Sequence, residues 1–214
     1  MKIALGILFI IGFMGFNNKL FAQKSLLDNS SAENWPTIKN PNISNNGRYI
    51  VYLKQQGNAG AQLIVQDTAG KWKKEIATSD YNYQFTNDSR SIICKMANDS
   101  VALLELGRPT IRYIENVDKY ETPTGGTGRW LACQLKGPQH ELMVLDLQQN
   151  KETKYLGVQQ FQFSDNGDVL LMQTINDKDK LSEFYWVNLN SGKKIHLGSR
   201  YINTRNAVFD ITGT

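Results

Sequence analysis

Ile43-Ser-Asn-Asn-Gly-Arg-Tyr-Ile-Val-Tyr52 is a turn phrase followed by an apolar strand, and it returns along the chain. Further copies read Phe85-Thr-Asn-Asp-Ser-Arg-Ser-Ile-Ile-Cys94, Gly-Gly-Thr-Gly-Arg-Trp-Leu-Ala-Cys over 125–133, and Phe163-Ser-Asp-Asn-Gly-Asp-Val-Leu-Leu-Met172. A fifth begins Phe209-Asp-Ile-Thr-Gly213 and stops one residue later, which predicts a piece of a longer protein. Aligning Gly47, Ser89, Gly128, Gly167 and Gly213 gives steps of 42, 39, 39 and 46 residues. A period of about 40 with four short strands per unit marks a β-propeller blade. The expected fold is all-β: about four blades of four antiparallel strands plus the start of a fifth, an incomplete propeller.

Working outward, blades are expected at about 38–77, 83–114, 117–156 and 159–197, with a partial fifth over 206–214. The turns carry Asn, Asp, Ser and Gly, which suit tight reversals and positive φ. The second strands, such as Ser-Ile-Ile-Cys94 and Trp-Leu-Ala-Cys133, are apolar without strict alternation. Such strands are covered on both faces, as when each blade lies between two others. A two-sheet sandwich shares the strand spacing but does not explain the repeated phrase.

The first 22 residues differ from the rest. Met1-Lys2 is a short positive start, residues 3–16 are apolar, and Leu-Phe-Ala22 ends in a small residue. This is the plan of a signal peptide cleaved after Ala22, giving a secreted or periplasmic product. The apolar run is too short for a membrane span, so no membrane attachment is expected after cleavage. Residues 23–34 are polar and read as a linker before a propeller region over 35–214. Removing Lys2 and Lys19 leaves 22 basic against 20 acidic side chains, a balance that does not call for nucleic acid.

Reactive constellations are missing from the sequence. It has no Gly-x-Ser-x-Gly elbow, His-Glu-x-x-His, Cys-x-x-Cys or Walker loop. No catalytic, cofactor-binding or metal-binding residue is assigned. Gly125–Gly128 reads as a turn rather than a phosphate loop, because a strand follows it. Cys94 and Cys133 share a repeat position with Tyr52 and Met172, so they read as buried free thiols. Trp130 and Trp186 read as core, while Trp35 and Trp72 read as freer. His140 and His196 read as surface residues, and Asp88 and Asp165 as turn residues rather than calcium ligands. Lys71, Lys73 and Lys74, around Trp72, read as a solvated strand face. Asp177-Lys-Asp-Lys180 reads as a hairpin tip, and Asn29, Asn42, Asn87 and Asn98 fit the Asn-x-Ser pattern.

Phe163-Ser-Asp-Asn-Gly167 and Ile43-Ser-Asn-Asn-Gly47, each leading into an apolar strand, resemble the blades of TolB-like propellers. Similar blades form the N-terminal propeller of secreted serine peptidases of the prolyl oligopeptidase family. Gly128-Arg-Trp-Leu-Ala-Cys-Gln-Leu-Lys136 and Glu141-Leu-Met-Val-Leu-Asp-Leu147 add to the likeness, which covers roughly residues 35–214. The resemblance implies a parent with a C-terminal α/β-hydrolase domain in cis and a peptide substrate. It implies a gating role for the propeller. No residue here matches the family's Ser-Asp-His triad motifs, so no catalytic role carries over. The alternative is a TolB-like periplasmic propeller that binds a protein partner and does no chemistry.

Overall fold

A computed structural model describes residues 35–56, 60–77, 82–176 and 181–201. The expected leader, linker, fifth copy and Asp177–Lys180 tip lie outside the described residues. Blade 1 holds β1 (Pro36–Ile43), β2 (Tyr49–Gln56), β3 (Ala61–Asp67) and β4 (Lys73–Ala77). Blade 2 holds β5 (Tyr83–Phe85), β6 (Ser91–Lys95), β7 (Val101–Glu105) and β8 (Ile111–Ile114). Blade 3 holds β9 (Val117–Glu121), β10 (Trp130–Leu135), β11 (Leu142–Asp146) and β12 (Lys151–Tyr155). Blade 4 holds β13 (Val158–Phe163), β14 (Val169–Asn176), β15 (Leu181–Asn188) and β16 (Lys194–Tyr201). Each blade pairs its strands antiparallel in chain order, so none of the four borrows a strand from another.

The repeated phrase is the turn between the first and second strands. Ser44, Thr86 and Ser164 are buried there and play one part. Each hydroxyl donates to the Asn or Asp two residues on: Ser44 to Asn46 at 2.8 Å, Thr86 to Asp88 at 2.7 Å, Ser164 to Asn166 at 2.8 Å. Each also accepts the amide that opens the next strand, from Tyr49, Ser91 and Val169. The last turn residue adopts a left-handed conformation, with φ of 68° at Gly47, 56° at Ser89, 67° at Gly128 and 78° at Gly167. Small polar residues and glycine occupy these positions because they tolerate that geometry and satisfy the turn amides.

The blades stack in chain order through three apolar layers. Val51, Leu53, Leu63 and Val65 of blade 1 share a layer with Ile92, Cys94, Ala102 and Leu104 of blade 2. Ile93 and Val101, on the opposite face of blade 2, join Val117, Leu131, Cys133 and Met143 of blade 3. Ala132, Leu142 and Val144 then join Val158, Leu170, Met172 and Val187 of blade 4. Alternate residues of a strand serve alternate layers, as the two-residue period of a strand requires. The four sheets do not close into a ring. No described sheet covers the first face of blade 1, with Ile50, Tyr52 and Ile64, or the last face of blade 4, with Leu171, Phe184 and Trp186.

Candidate functional site

The richest polar geometry lies at the end of the blades that carries the repeated turns. There the turns are stitched to one another. Asn45 Nδ2 donates to Asn87 O at 3.1 Å, and Asn87 Nδ2 donates to Gly125 O at 2.8 Å. Gly125 N donates to Asp165 O at 2.8 Å, and Thr124 Oγ1 donates to Asp165 Oδ1 at 3.2 Å. Two glycines are dictated by this contact. A Cβ at Gly126 would stand 2.1 Å from Asn166 O, and one at Gly128 would stand 2.8 Å from the Asp88 amide nitrogen. The Gly125–Gly128 segment is therefore a packed turn held between the preceding blade and the next one. Its Gly125 amide already serves Asp165 and is not available to an anion.

Beside it, Arg129 and Asp146 form the most buried ion pair of the described residues. Their side chains are 21% and 4% exposed. Arg129 Nε and Nη2 donate to Asp146 Oδ2 at 2.9 and 2.5 Å. The amides of Gln148 and Gln149 donate to Asp146 Oδ1, both at 3.0 Å. Burial pushes the Asp146 carboxyl up, but the guanidinium and the two amides outweigh it and hold it below the usual carboxylate range. Arg129 also stacks over the Trp130 ring, 4.6 Å from its centre, and donates to Asn190 Oδ1 of blade 4 at 2.8 Å. Together these residues wall one end of a cleft of about 390 Å³ between blades 3 and 4. The Arg–Asp pair was not singled out from sequence. Its signal is the arginine just after the turn, at 48, 90 and 129, with an acid at the end of the third strand, at 67, 105 and 146.

The residues singled out by sequence do not converge. Cys94 and Cys133 are buried free thiols in separate layers, as expected from their repeat position. Burial pushes both thiols up to about 12, far from a reactive thiolate. Trp130 is core, as expected. Trp186 is only half-buried, because it points to the last face of blade 4 instead of the layer shared with blade 3. Trp72 is not free: it packs edge-to-face on Tyr49 at 5.9 Å and against the first layer. Trp35 is exposed. His140 is exposed in a turn with φ of 46°, and His196 is exposed on β16. Asp88 and Asp165 are bonded within and between turns. Among the described residues no group of three or more His, Cys, Asp or Glu side chains is gathered for a metal. Lys73 pairs with Glu75, and Lys74 Nζ donates to Pro109 O of blade 2, so the expected solvated face is partly an inter-blade tie.

No family model and no curated protein matches this chain. Its fold is similar to solved propellers at low identity. The β-propeller domain of the Trilobed protease from Pyrococcus furiosus aligns over 77% of this chain and 58% of its own, with 10% identity and a TM-score of 0.48. Porphyromonas gingivalis dipeptidyl peptidase 4 aligns over 78% of this chain and 33% of its own, with 11% identity and a TM-score of 0.46. TolB from Acinetobacter baumannii aligns over 73% of this chain and 42% of its own, with 12% identity and a TM-score of 0.38. The chain thus spans less than two thirds of each of these structures. At such identity they bear on architecture alone, and the architecture here rests on the sheets themselves.

Proposed function

We propose that this chain is the non-catalytic propeller part of a larger secreted or periplasmic serine peptidase of the prolyl oligopeptidase type. In that role it caps a C-terminal α/β-hydrolase domain in cis and filters the peptides that reach it. The observation that carries this reading is the open stack. On the last face of blade 4 Leu171 is buried and Phe184 and Trp186 are half-buried, although no described sheet lies against them; such an apolar face suits a further blade. Most described side chains serve packing layers and turns; Ser199 Oγ does lie 3.3 Å from His196 Nε2 on β16, but both residues are exposed, unlike an activated pair held in an enclosed site. The leader that the sequence leads us to expect, ending at Ala22, supports a location outside the cytoplasm.

The test is an antibody raised against the purified chain, applied to the envelope fraction and medium of its source cells, combined with a fluorophosphonate serine-hydrolase label. The proposal expects a captured species far larger than 24.2 kDa that takes the label. A larger species that stays unlabelled supports the TolB-like binding propeller instead. An unlabelled species of this chain's own mass contradicts both.

A further inference from the structure

Neighbouring blades meet along a groove at the repeat-turn end, and the three grooves are finished differently. Between blades 1 and 2, Tyr49 and Trp72 fill the space, and Lys74 Nζ crosses to Pro109 O at 2.7 Å. Between blades 2 and 3, Arg112 crosses to Asn150 Oδ1 at 2.8 Å and to Glu152. That second groove is also charge-balanced, with Arg90 and Arg112 against Asp88 and Glu105 along its walls. Lys74 and Arg112 hold the same register position on the fourth strand, opposite Val65 and Leu103. In blade 3 that position, opposite Val144, is Thr153. A threonine is too short to cross, and the groove between blades 3 and 4 keeps a cleft of about 390 Å³ along β12; the groove between blades 2 and 3 keeps one of about 480 Å³ beside Arg112. Among the described residues the Arg129–Asn190 bond spans the groove between blades 3 and 4, at one end.

The open cleft is basic. Arg129 is neutralised by Asp146, but Lys151 and Lys194 stand at its walls, and neither forms an ion pair among the described residues. Lys194 Nζ lies 3.7 Å from the centre of the Tyr185 ring. Tyr155 and Leu189 also line the cleft and add apolar surface to it. The turn amides of both rims are already used: Gln148 and Gln149 bond Asp146, Ser191 and Gly192 bond Asn188, and Lys193 bonds Ser191. No nest of free amides is left to cradle a compact phosphate. Two lysines on long stems in a cleft that also offers apolar surface suit carboxylates spaced along a chain with apolar neighbours.

We propose that the cleft between blades 3 and 4 binds an acidic peptide segment, its carboxylates held by Lys151 and Lys194 and an apolar side chain seated on Tyr155 and Leu189. The volume is that of a site for a ligand of small-molecule size, so a few residues fill it. This inference concerns a surface of the chain itself and stands whether or not a hydrolase domain follows.

The test is a fluorescence-polarisation titration of the whole chain with a dye-labelled peptide of alternating aspartate and leucine. Its asparagine counterpart, inorganic phosphate, and the K151Q/K194Q and K39Q/K54Q variants complete the set. The aspartate peptide is expected to bind saturably and to weaken when salt is raised from about 20 to about 300 mM. K151Q/K194Q is expected to weaken it about tenfold. K39Q/K54Q removes the same charge elsewhere and is expected to leave binding unchanged. Both cleft lysines are exposed, and an unchanged melting temperature shows that the fold is kept. Absence of saturable binding, equal binding of the asparagine peptide, or equal loss in both double variants overturns the proposal. So does phosphate binding at the cleft without peptide binding.

Discussion

Ser44, Thr86 and Ser164 explain at the level of single atoms why one phrase recurs. Each is a buried hydroxyl that gives one hydrogen bond and takes another inside a six-residue stretch. Because those bonds are local, the turns were legible in the sequence. The third copy lacks the hydroxyl, and its glycines answer to a neighbour instead. Gly126 has φ of 76°, and a Cβ there would collide with the backbone of Asn166 in the next blade. Gly126→Ala is therefore expected to lower stability by about 2–4 kcal/mol, from the left-handed backbone plus a forced shift between blades. Gly192 has a similar φ of 72° but open space around it. Gly192→Ala is expected to lower stability by only about 1–2 kcal/mol, the backbone contribution alone. Urea unfolding of both variants measures the difference. Equal losses would show that the third and fourth turns do not press on one another. Reading Gly125–Gly128 as a turn needed only the following strand, whereas the need for glycine at 126 comes from a blade some 40 residues away.

At the scale of strands, the pairing order and most strand positions followed from turn chemistry and apolar runs. The face each side chain takes was harder to read. Trp186 sits in an apolar strand, yet it belongs to the uncovered face, because a one-residue offset decides the side of the sheet. The Arg129–Asp146 pair joins the start of β10 to the end of β11, and its cleft has Thr153 where Lys74 and Arg112 stand in earlier blades. That comparison needs the register, so the cleft was not legible in the sequence. The pair also sets a pH dependence. The folded state holds the Asp146 carboxyl below its unfolded value, so its stabilisation is complete above the unfolded pKa of about 4 and is lost as pH falls through the folded value. Asp146→Asn is expected to cost about 2–4 kcal/mol at neutral pH, since it leaves Arg129 without its buried partner. That gap should begin to narrow as the pH falls below about 4 and close as it passes the lowered folded value, where the folded carboxyl also becomes neutral. Denaturant unfolding of both proteins across the acid range measures it. A gap independent of pH would show that the charge of Asp146 contributes nothing.

For the whole molecule, the account rests on four repeats being four blades stacked in chain order, with no further described sheet at either end. Each layer then involves only consecutive repeats, as in other quasi-linear assemblies. The end faces that no described sheet covers are where the proposed further blade would pack, and the groove between blades 3 and 4 carries a basic cleft. The alternative sandwich would place strands of non-consecutive repeats face to face. A methyl–methyl NOE spectrum of Ile, Leu and Val-labelled protein tests this most directly. The account predicts cross-peaks linking Leu53 and Val65 with the layer of Ile92 and Leu104, Ile93 with the layer of Val117 and Leu131, and Leu142 and Val144 with the layer of Val158 and Leu170. Cross-peaks from Val51 or Leu53 to Val144 or Leu170 would contradict it.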